Sequence, residues 1–190
     1  PHSISLTSAL PLVTQAVIID GSSEPDFAGT PVIELNGAGA GASSSGILLG
    51  SGSSGSTVKG LVINRFSLSG IRIEGGSGGN LITGNYIGTD TTGLLDRGNT
   101  KWGVDLEASG GNNVIGGSSA ALRNVISGND LGGVSFNGAP VTGNLLQGNY
   151  IGAGSDGTTA VGNSGYGGVL VFNGASATVG GVGAGLGNLI

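Results

Sequence analysis

The stretch NLITGNYIG at residues 80–88 returns as NLLQGNYIG at residues 144–152, and the likeness continues beyond it. Aligned without a gap, residues 80–126 and 144–190 are identical at 19 of 47 positions. A self-repeat at a fixed interval, here 64 residues, is typical of a solenoid whose successive coils stack on one another. The sequence therefore predicts an elongated stack rather than a globule around one centre.

The composition fits a folded solenoid and argues against several classes of partner. The chain has 43 glycines, but its mean hydropathy is +0.27 and Val, Ile and Leu recur regularly, so it can bury apolar surface. With a net charge of −5 and six dispersed basic residues, we expect no nucleic-acid partner. The absence of Cys excludes a disulfide framework, and no apolar run reaches the roughly 18 residues of a membrane span.

Three kinds of short apolar segment follow one another in a constant order. Ile71–Ile73 and Val104–Leu106 represent the first kind, Asn80–Ile82 the second and Asn85–Ile87 the third. Alternating residues bounded by Gly or Asn are typical of strands, and the density of Gly disfavours helices. We therefore predict an all-β parallel β-helix of five to six coils, each with three short strands. The Asn residues at the strand starts are expected to form ladders between coils.

Two loops interrupt each 64-residue repeat. One is Gly88–Thr100, copied at Gly152–Ser164. It is expected to overhang the sheet formed by the first kind of segment, which includes Ile71–Ile73 and Val104–Leu106. The other is Gly116–Arg123, copied at Gly180–Gly187, and it should lie at a different corner of the coil.

The chain reads as one domain with an irregular beginning. Residues 1–45 are expected to form an N-terminal cap and the first coil, and residues 46–190 the regular coils. Residue 1 is Pro rather than Met, and the repeat stops where it predicts a continuation. We therefore expect this chain to be a segment of a longer protein.

Several segments resemble those of secreted bacterial right-handed parallel β-helix repeat proteins, in the wider pectate-lyase-like group. The segments are GTPVIELNG (29–37), KGLVINRF (59–66), GNYIGTDTTG (84–93), NNVIGG (112–117) and RNVISGN (123–129). The resemblance covers practically the whole chain and implies a right-handed coil and a secreted or cell-surface location. Polysaccharide lyases and hydrolases share this fold, but their catalytic Asp, Arg and Lys sets do not match this sequence motif for motif. The functional site therefore has to be argued from its own residues.

Four charged residues are predicted to share one outer surface. Alternation along the strands places Arg72, Glu74, Asp105 and Glu107 outside the coil. Because successive coils lie about 4.8 Å apart, Arg72 should neighbour Asp105, and Glu74 should neighbour Glu107. Two adjacent carboxylates repel, which raises one pKa and suits an acid/base pair acting on a glycosidic bond or a uronate. In the alternative interpretation, Arg72–Asp105 is an ordinary ion pair between coils and the Glu residues aid solubility.

Aromatic residues flank this patch and suggest a glycan surface. Trp102 and its repeat partner Tyr166 are candidate platforms for sugar rings, and Lys101 lies beside Trp102. In the alternative interpretation, these aromatic rings pack the loops against the coils.

No metal or cofactor is indicated by the sequence. A structural Ca²⁺ is compatible with the loop residues Asp90, Asp96 and Asp156, but such a site needs six to eight oxygens, and these Asp positions are not preserved between the two copies. His2 is the only His, so neither a His-rich metal site nor a His-based triad is expected. Asp26 is interpreted as a turn former.

Two functions remain open. In the first, the chain is a non-enzymatic structural or adhesive β-helix of a secreted or cell-surface protein, and its ends stack into fibres because an uncapped coil exposes unpaired backbone groups. Its partners are then other copies or the rest of the parent protein. In the second, it is a carbohydrate-binding or polysaccharide-degrading β-helix, with a polysaccharide as its partner.

Overall fold

The computed structural model describes residues 1–139 and 141–190. Within them the chain winds into a right-handed parallel β-helix with three strands per coil. The seventeen strands are β1 (His2–Ser5), β2 (Ile18–Asp20), β3 (Ile33–Asn36), β4 (Ile47–Leu49), β5 (Thr57–Lys59), β6 (Leu61–Asn64), β7 (Ile71–Glu74), β8 (Leu81–Thr83), β9 (Tyr86–Ile87), β10 (Trp102–Glu107), β11 (Val114–Gly116), β12 (Val125–Ile126), β13 (Gly132–Asn137), β14 (Asn144–Gln147), β15 (Tyr150–Ile151), β16 (Val169–Phe172) and β17 (Ala177–Val179). Two short 3-10 turns, Gly21–Ser23 and Ala120–Leu122, lie in loops.

The strands form three parallel sheets, one on each side of the coil. Sheet 1 contains β4, β7, β10, β13 and β16, sheet 2 contains β2, β5, β8, β11, β14 and β17, and sheet 3 contains β1, β3, β6, β9, β12 and β15. From β4 onward the chain visits sheets 1, 2 and 3 in turn. The predicted fold, with five to six coils of three short strands, is confirmed.

The first coil is less regular, in keeping with its sequence. Val13 forms a single bridge to Leu49 where sheet 1 would begin, and β2 and β3 then complete the coil. Strand β1 precedes them and pairs with β3, with His2 opposite Ile33.

The core is a narrow column of inward-facing residues. Val104 lies between Ile71 and Val134 in the neighbouring coils, and all three side chains are fully buried. Burying a side chain of this size contributes about 1.5–3 kcal/mol relative to leaving it exposed, and each coil repeats that contribution. Phe66 and Phe136 are the largest fully buried side chains.

Asn side chains form three ladders along the corners of the coil, and two of them are the predicted ladders at the strand starts. In each step the Oδ1 of one Asn accepts hydrogen bonds from the backbone N–H and the Nδ2 of the Asn in the preceding coil. The ladders are Asn80–Asn113–Asn144, Asn85–Asn124–Asn149–Asn188 and Asn99–Asn129–Asn163. They satisfy backbone N–H groups that the turning chain would otherwise leave buried and unpaired.

The loop after β9 and its copy after β15 stack on each other. The Ser155 N–H donates to the Gly93 carbonyl over 3.0 Å, and the Ser155 hydroxyl donates to the Thr92 carbonyl over 2.8 Å. A Cβ at Gly93 would lie 2.9 Å from the Tyr86 ring. Tyr86 is on the outer face of sheet 3, so the loop tip lies against sheet 3, and the expectation that this loop overhangs sheet 1 is wrong.

We predict that Asn124→Ala destabilises the protein by about 2–3 kcal/mol, because it removes the acceptor of the buried Asn85 N–H and the Nδ2 hydrogen bonds to the Asn149 Oδ1 and the Ile82 carbonyl. The measurement is urea denaturation. The control is Asn137→Ala, which removes only an exposed hydrogen bond to Asn173 and should change stability by less than about 0.5 kcal/mol. Equal effects of the two substitutions would contradict a stabilising role for the ladder.

Candidate functional site

Sheet 1 brings the four predicted charged residues together on its outer face. Asp105 lies opposite Arg72 and Glu107 lies opposite Glu74, as the alternation predicted. The Arg72 guanidinium is the centre of the group, which we call the Arg72 cluster. Its Nε lies 2.7 Å from the Glu74 carboxylate, its Nη2 2.5 Å from Glu107 and its Nη1 3.7 Å from Asp105.

The members of the Arg72 cluster differ in burial. Asp105 is 5% exposed, whereas the side chains of Glu74 and Glu107 are 36% and 43% exposed. Burial raises the pKa of Asp105, and the positive charge of Arg72 offsets part of that rise. Burial also acts to lower the pKa of Arg72, but its bond to Glu74 and the charge of Glu107 hold that pKa above its ordinary value.

This geometry ties up the groups that acid/base chemistry would need. Glu74 and Glu107 both bind the same guanidinium, and Asp105 is shielded from solvent. One cation shared among three carboxylates links two adjacent strands, β7 and β10. The arrangement can hold two coils together, and Glu74 and Glu107 each use one carboxylate oxygen for the bond to Arg72.

The two candidate platform residues lie against each other. The Trp102 and Tyr166 rings are stacked, with centroids 5.8 Å apart and planes inclined by 11°. Trp102 is only 6% exposed, whereas Tyr166 is 64% exposed, so Tyr166 alone is open to a ligand. The Trp102 ring lies directly on Gly132 of the next coil, where any Cβ would meet it.

An apolar hollow of about 380 Å³ opens beside this aromatic pair. It is lined by Trp102, Leu131, Tyr166, Leu170 and Phe172. The sequence analysis did not single out the last two residues, although the alternation in Val169–Phe172 places them on the outer face. Lys101 is exposed at the start of β10, and its charge acts to lower the pKa of Asp105.

Comparisons with known proteins identify no relative. No family model, curated protein or solved structure matches the chain. Among the described residues there is also no helix with the length and apolar character needed to cross a bilayer.

The loop carboxylates considered for Ca²⁺ are engaged by their own loops. The Asp90 carboxylate accepts hydrogen bonds from the Thr92 hydroxyl and from backbone N–H groups, and Asp156 does the same with Thr158 and Thr159. Although burial acts to raise the pKa of Asp90, these hydrogen bonds hold it below its ordinary value. The backbone bonds from Thr159 and Thr158 lower the pKa of Asp156. These Asp side chains act as loop caps.

We expect the buried Asp105 carboxylate to lower the free energy of unfolding at neutral pH. Because its pKa is raised above 3.8 on folding, the folded state binds the proton more tightly than the unfolded chain does. Stability from this group therefore falls as the pH rises through and above the ordinary Asp pKa. We predict that Asp105→Asn increases the free energy of unfolding, and that the increase is larger at pH 7 than at pH 4.

Urea denaturation at the two pH values measures this difference. Asp130→Asn, which removes the same charge at an exposed residue, is the matched control for the substitution itself. A loss of stability in Asp105→Asn at pH 7 would mean that the bond to Arg72 outweighs burial.

Proposed function

We propose that the chain is a non-enzymatic structural or adhesive rod of a secreted or cell-surface protein, and that its end faces stack on further copies to form fibres. The observation that supports this most directly is the continuity of the stack. The buried core and the Asn ladders run from coil to coil. The Arg72 cluster, in which one guanidinium contacts three carboxylates, also joins two coils. The likeness of the sequence to secreted β-helix repeat proteins supports the location.

The two end faces present side chains that a further coil would bury, whether that coil comes from another copy or from the rest of the parent protein. At the face after β16 and β17, Val171 and Val179 continue the inward rows of Phe136 and Leu146, yet they are 41% and 45% exposed. Ile190 is 65% exposed at the same face. At the opposite face Ile4, which continues the row of Leu35, is 48% exposed. Another coil placed in register would bury these side chains and pair the free edges of all three sheets.

Electron microscopy and sedimentation velocity across a concentration series test this proposal. We expect rods that lengthen with concentration, with a repeat of about 4.8 Å along the axis. Ile190→Lys puts a charge on one end face and should shorten the rods. Leu95→Lys, at a loop residue that is 54% exposed, is the matched control and should leave their length unchanged.

Two results would count against fibre formation. One is wild-type rods of a single short length at every concentration, and the other is equal rod lengths for the two Lys variants.

A second candidate function, carbohydrate binding, is favoured by one specific observation. Tyr166 presents an exposed ring that stacks on Trp102, beside an apolar hollow, and Trp102 belongs to β10, the strand that carries Asp105 and Glu107. Rigid exposed aromatic rings provide a large contact area for the apolar face of a sugar at low entropic cost. Because Glu74 and Glu107 both bind Arg72, the geometry favours binding over the polysaccharide-degrading form of this alternative.

Titration of the protein with neutral and acidic oligosaccharides tests the second candidate. Trp102 is the only Trp in the chain, so its fluorescence reports directly on the hollow. We expect Tyr166→Ala to weaken binding by about tenfold or more, and Tyr166→Phe to retain binding because it keeps the ring. Equal affinity of Tyr166→Ala and wild type would refute a platform role for this residue.

A further inference from the structure

We propose that His2, Glu24 and Asp26 form a binding site for a divalent transition-metal ion, with Zn²⁺ as the ion that fits best. The three residues lie beside the end of the stack that begins with β1, far from sheet 1. We call them the His2 site. This inference is independent of the proposed function.

The His2 site joins two segments of chain whose backbones are fixed. His2 opens β1, and its N–H donates to the Val32 carbonyl over 2.7 Å. Glu24 follows the 3-10 turn Gly21–Ser23, and its carbonyl accepts a 2.9 Å bond from the Phe27 N–H, which closes the turn that contains Asp26. The ligand positions therefore come from β1 and from the insertion between β2 and β3.

The spacing of the three side chains matches a tetrahedral metal site. The His2 Nε2 lies 3.3 Å from the Asp26 Oδ2 and 3.6 Å from the Glu24 Oε1, and one ligand atom from each residue lies within 4.8 Å of the other two. With Zn–N and Zn–O bonds of about 2.0–2.2 Å, the ligand atoms of a tetrahedral ion lie about 3.3–3.6 Å apart. An ion can thus sit between the three groups with small adjustments, and a water molecule can fill its fourth position.

The two carboxylates of the His2 site also favour the binding of a cation. Among residues 1–139 and 141–190, His2 is the only Lys, Arg or His residue with a side-chain nitrogen within 4.0 Å of the Glu24 or Asp26 carboxylates. The nearby Lys59 is bound to Asp20 over 2.9 Å. The contrast with the Arg72 cluster is direct, because there a permanently charged guanidinium stands between the carboxylates. A divalent ion would supply the missing positive charge at the His2 site.

The ligand types select the class of metal. An imidazole nitrogen with two carboxylate oxygens suits Zn²⁺ and neighbouring transition metals, whereas Ca²⁺ takes six to eight oxygen ligands. No sequence pattern predicts this site, because a single His excludes a His-rich set and Asp26 fits a turn. A mixed site needs only one imidazole, and Glu24 lies 22 positions after His2 in the chain.

A bound ion would tie β1 to the insertion. Every residue of β1 is exposed, and β1 pairs with β3 alone. Next to the site, a cavity of about 290 Å³, lined by Ile4, Ile33 and Leu35 among others, opens at this end of the core. A link between His2 and the Glu24–Asp26 turn would hold β1 over that opening.

Isothermal titration of the untagged, chelator-treated chain with ZnCl₂ tests the proposal, with CaCl₂ as the comparison. We expect one Zn²⁺ per chain and no Ca²⁺ binding at this site. His2→Ala and Asp26→Asn should each weaken Zn²⁺ binding on the order of 100-fold, since even the outer-shell partners of metal ligands contribute 10–100-fold. Both residues are more than half exposed, so neither substitution should unfold the chain, and circular dichroism verifies this. Glu107→Gln, which changes a carboxylate of the distant Arg72 cluster, is the control and should bind as wild type does.

Hydrogen exchange provides a second readout. Zn²⁺ should increase the protection of the β1 amides in wild type and leave them unchanged in His2→Ala. The proposal is overturned if wild type binds no Zn²⁺, if His2→Ala binds it as tightly as wild type, or if β1 protection is the same with and without the ion. The first result would make the His2 site an ordinary contact between an imidazole and two carboxylates.

Discussion

The hydrogen bond from a backbone N–H to the Asn Oδ1 of the next coil is the interaction on which this structure depends. A chain that turns a tight corner in every coil leaves backbone donors pointing along the axis, where no strand can accept them. The Asn ladders accept these donors and use their own Nδ2 groups to repeat the bond one coil further. Each Asn accepts hydrogen bonds from one coil and donates to the next. These bonds therefore set the corners and the register of the sheets, and the register aligns the column of Ile, Val and Leu side chains.

The Asn ladders also explain why the fold could be predicted from the sequence. The candidate functional site could be predicted only in part. Asn80, Asn85 and Asn99 recur with the repeat, and the alternation between them gives the inner and outer faces, including the pairs Arg72–Asp105 and Glu74–Glu107. What the sequence could not give are contacts made by side chains of unequal length across several coils. Trp102 lies over Gly132, where any Cβ would meet its ring, and the loop tip packs closely on the Tyr86 ring at Gly93.

The surface chemistry of sheet 1 follows from the same geometry. Outer side chains are held one strand apart, so a charge on one coil always meets the residue opposite it in the next coil. Arg72 faces Asp105 in this way and also binds Glu74 on its own strand and Glu107 diagonally across the two strands, while Asp105 is left buried with a raised pKa. A regular stack therefore tends to satisfy its charges internally, and an open functional group is more readily found where the regularity fails. The exposed Tyr166 and the irregular first coil, with His2 and Glu24, are two such places.

The stacking of the Ser155 loop on the Thr92–Gly93 loop makes a pair of coils, rather than a single coil, the repeating unit of the stack. Although one coil is the geometric repeat, the loop contacts recur only after two. Duplication of a gene segment encoding two coils would preserve the Ser155 contact at every new junction, whereas duplication of one coil would place a loop above a corner that has none.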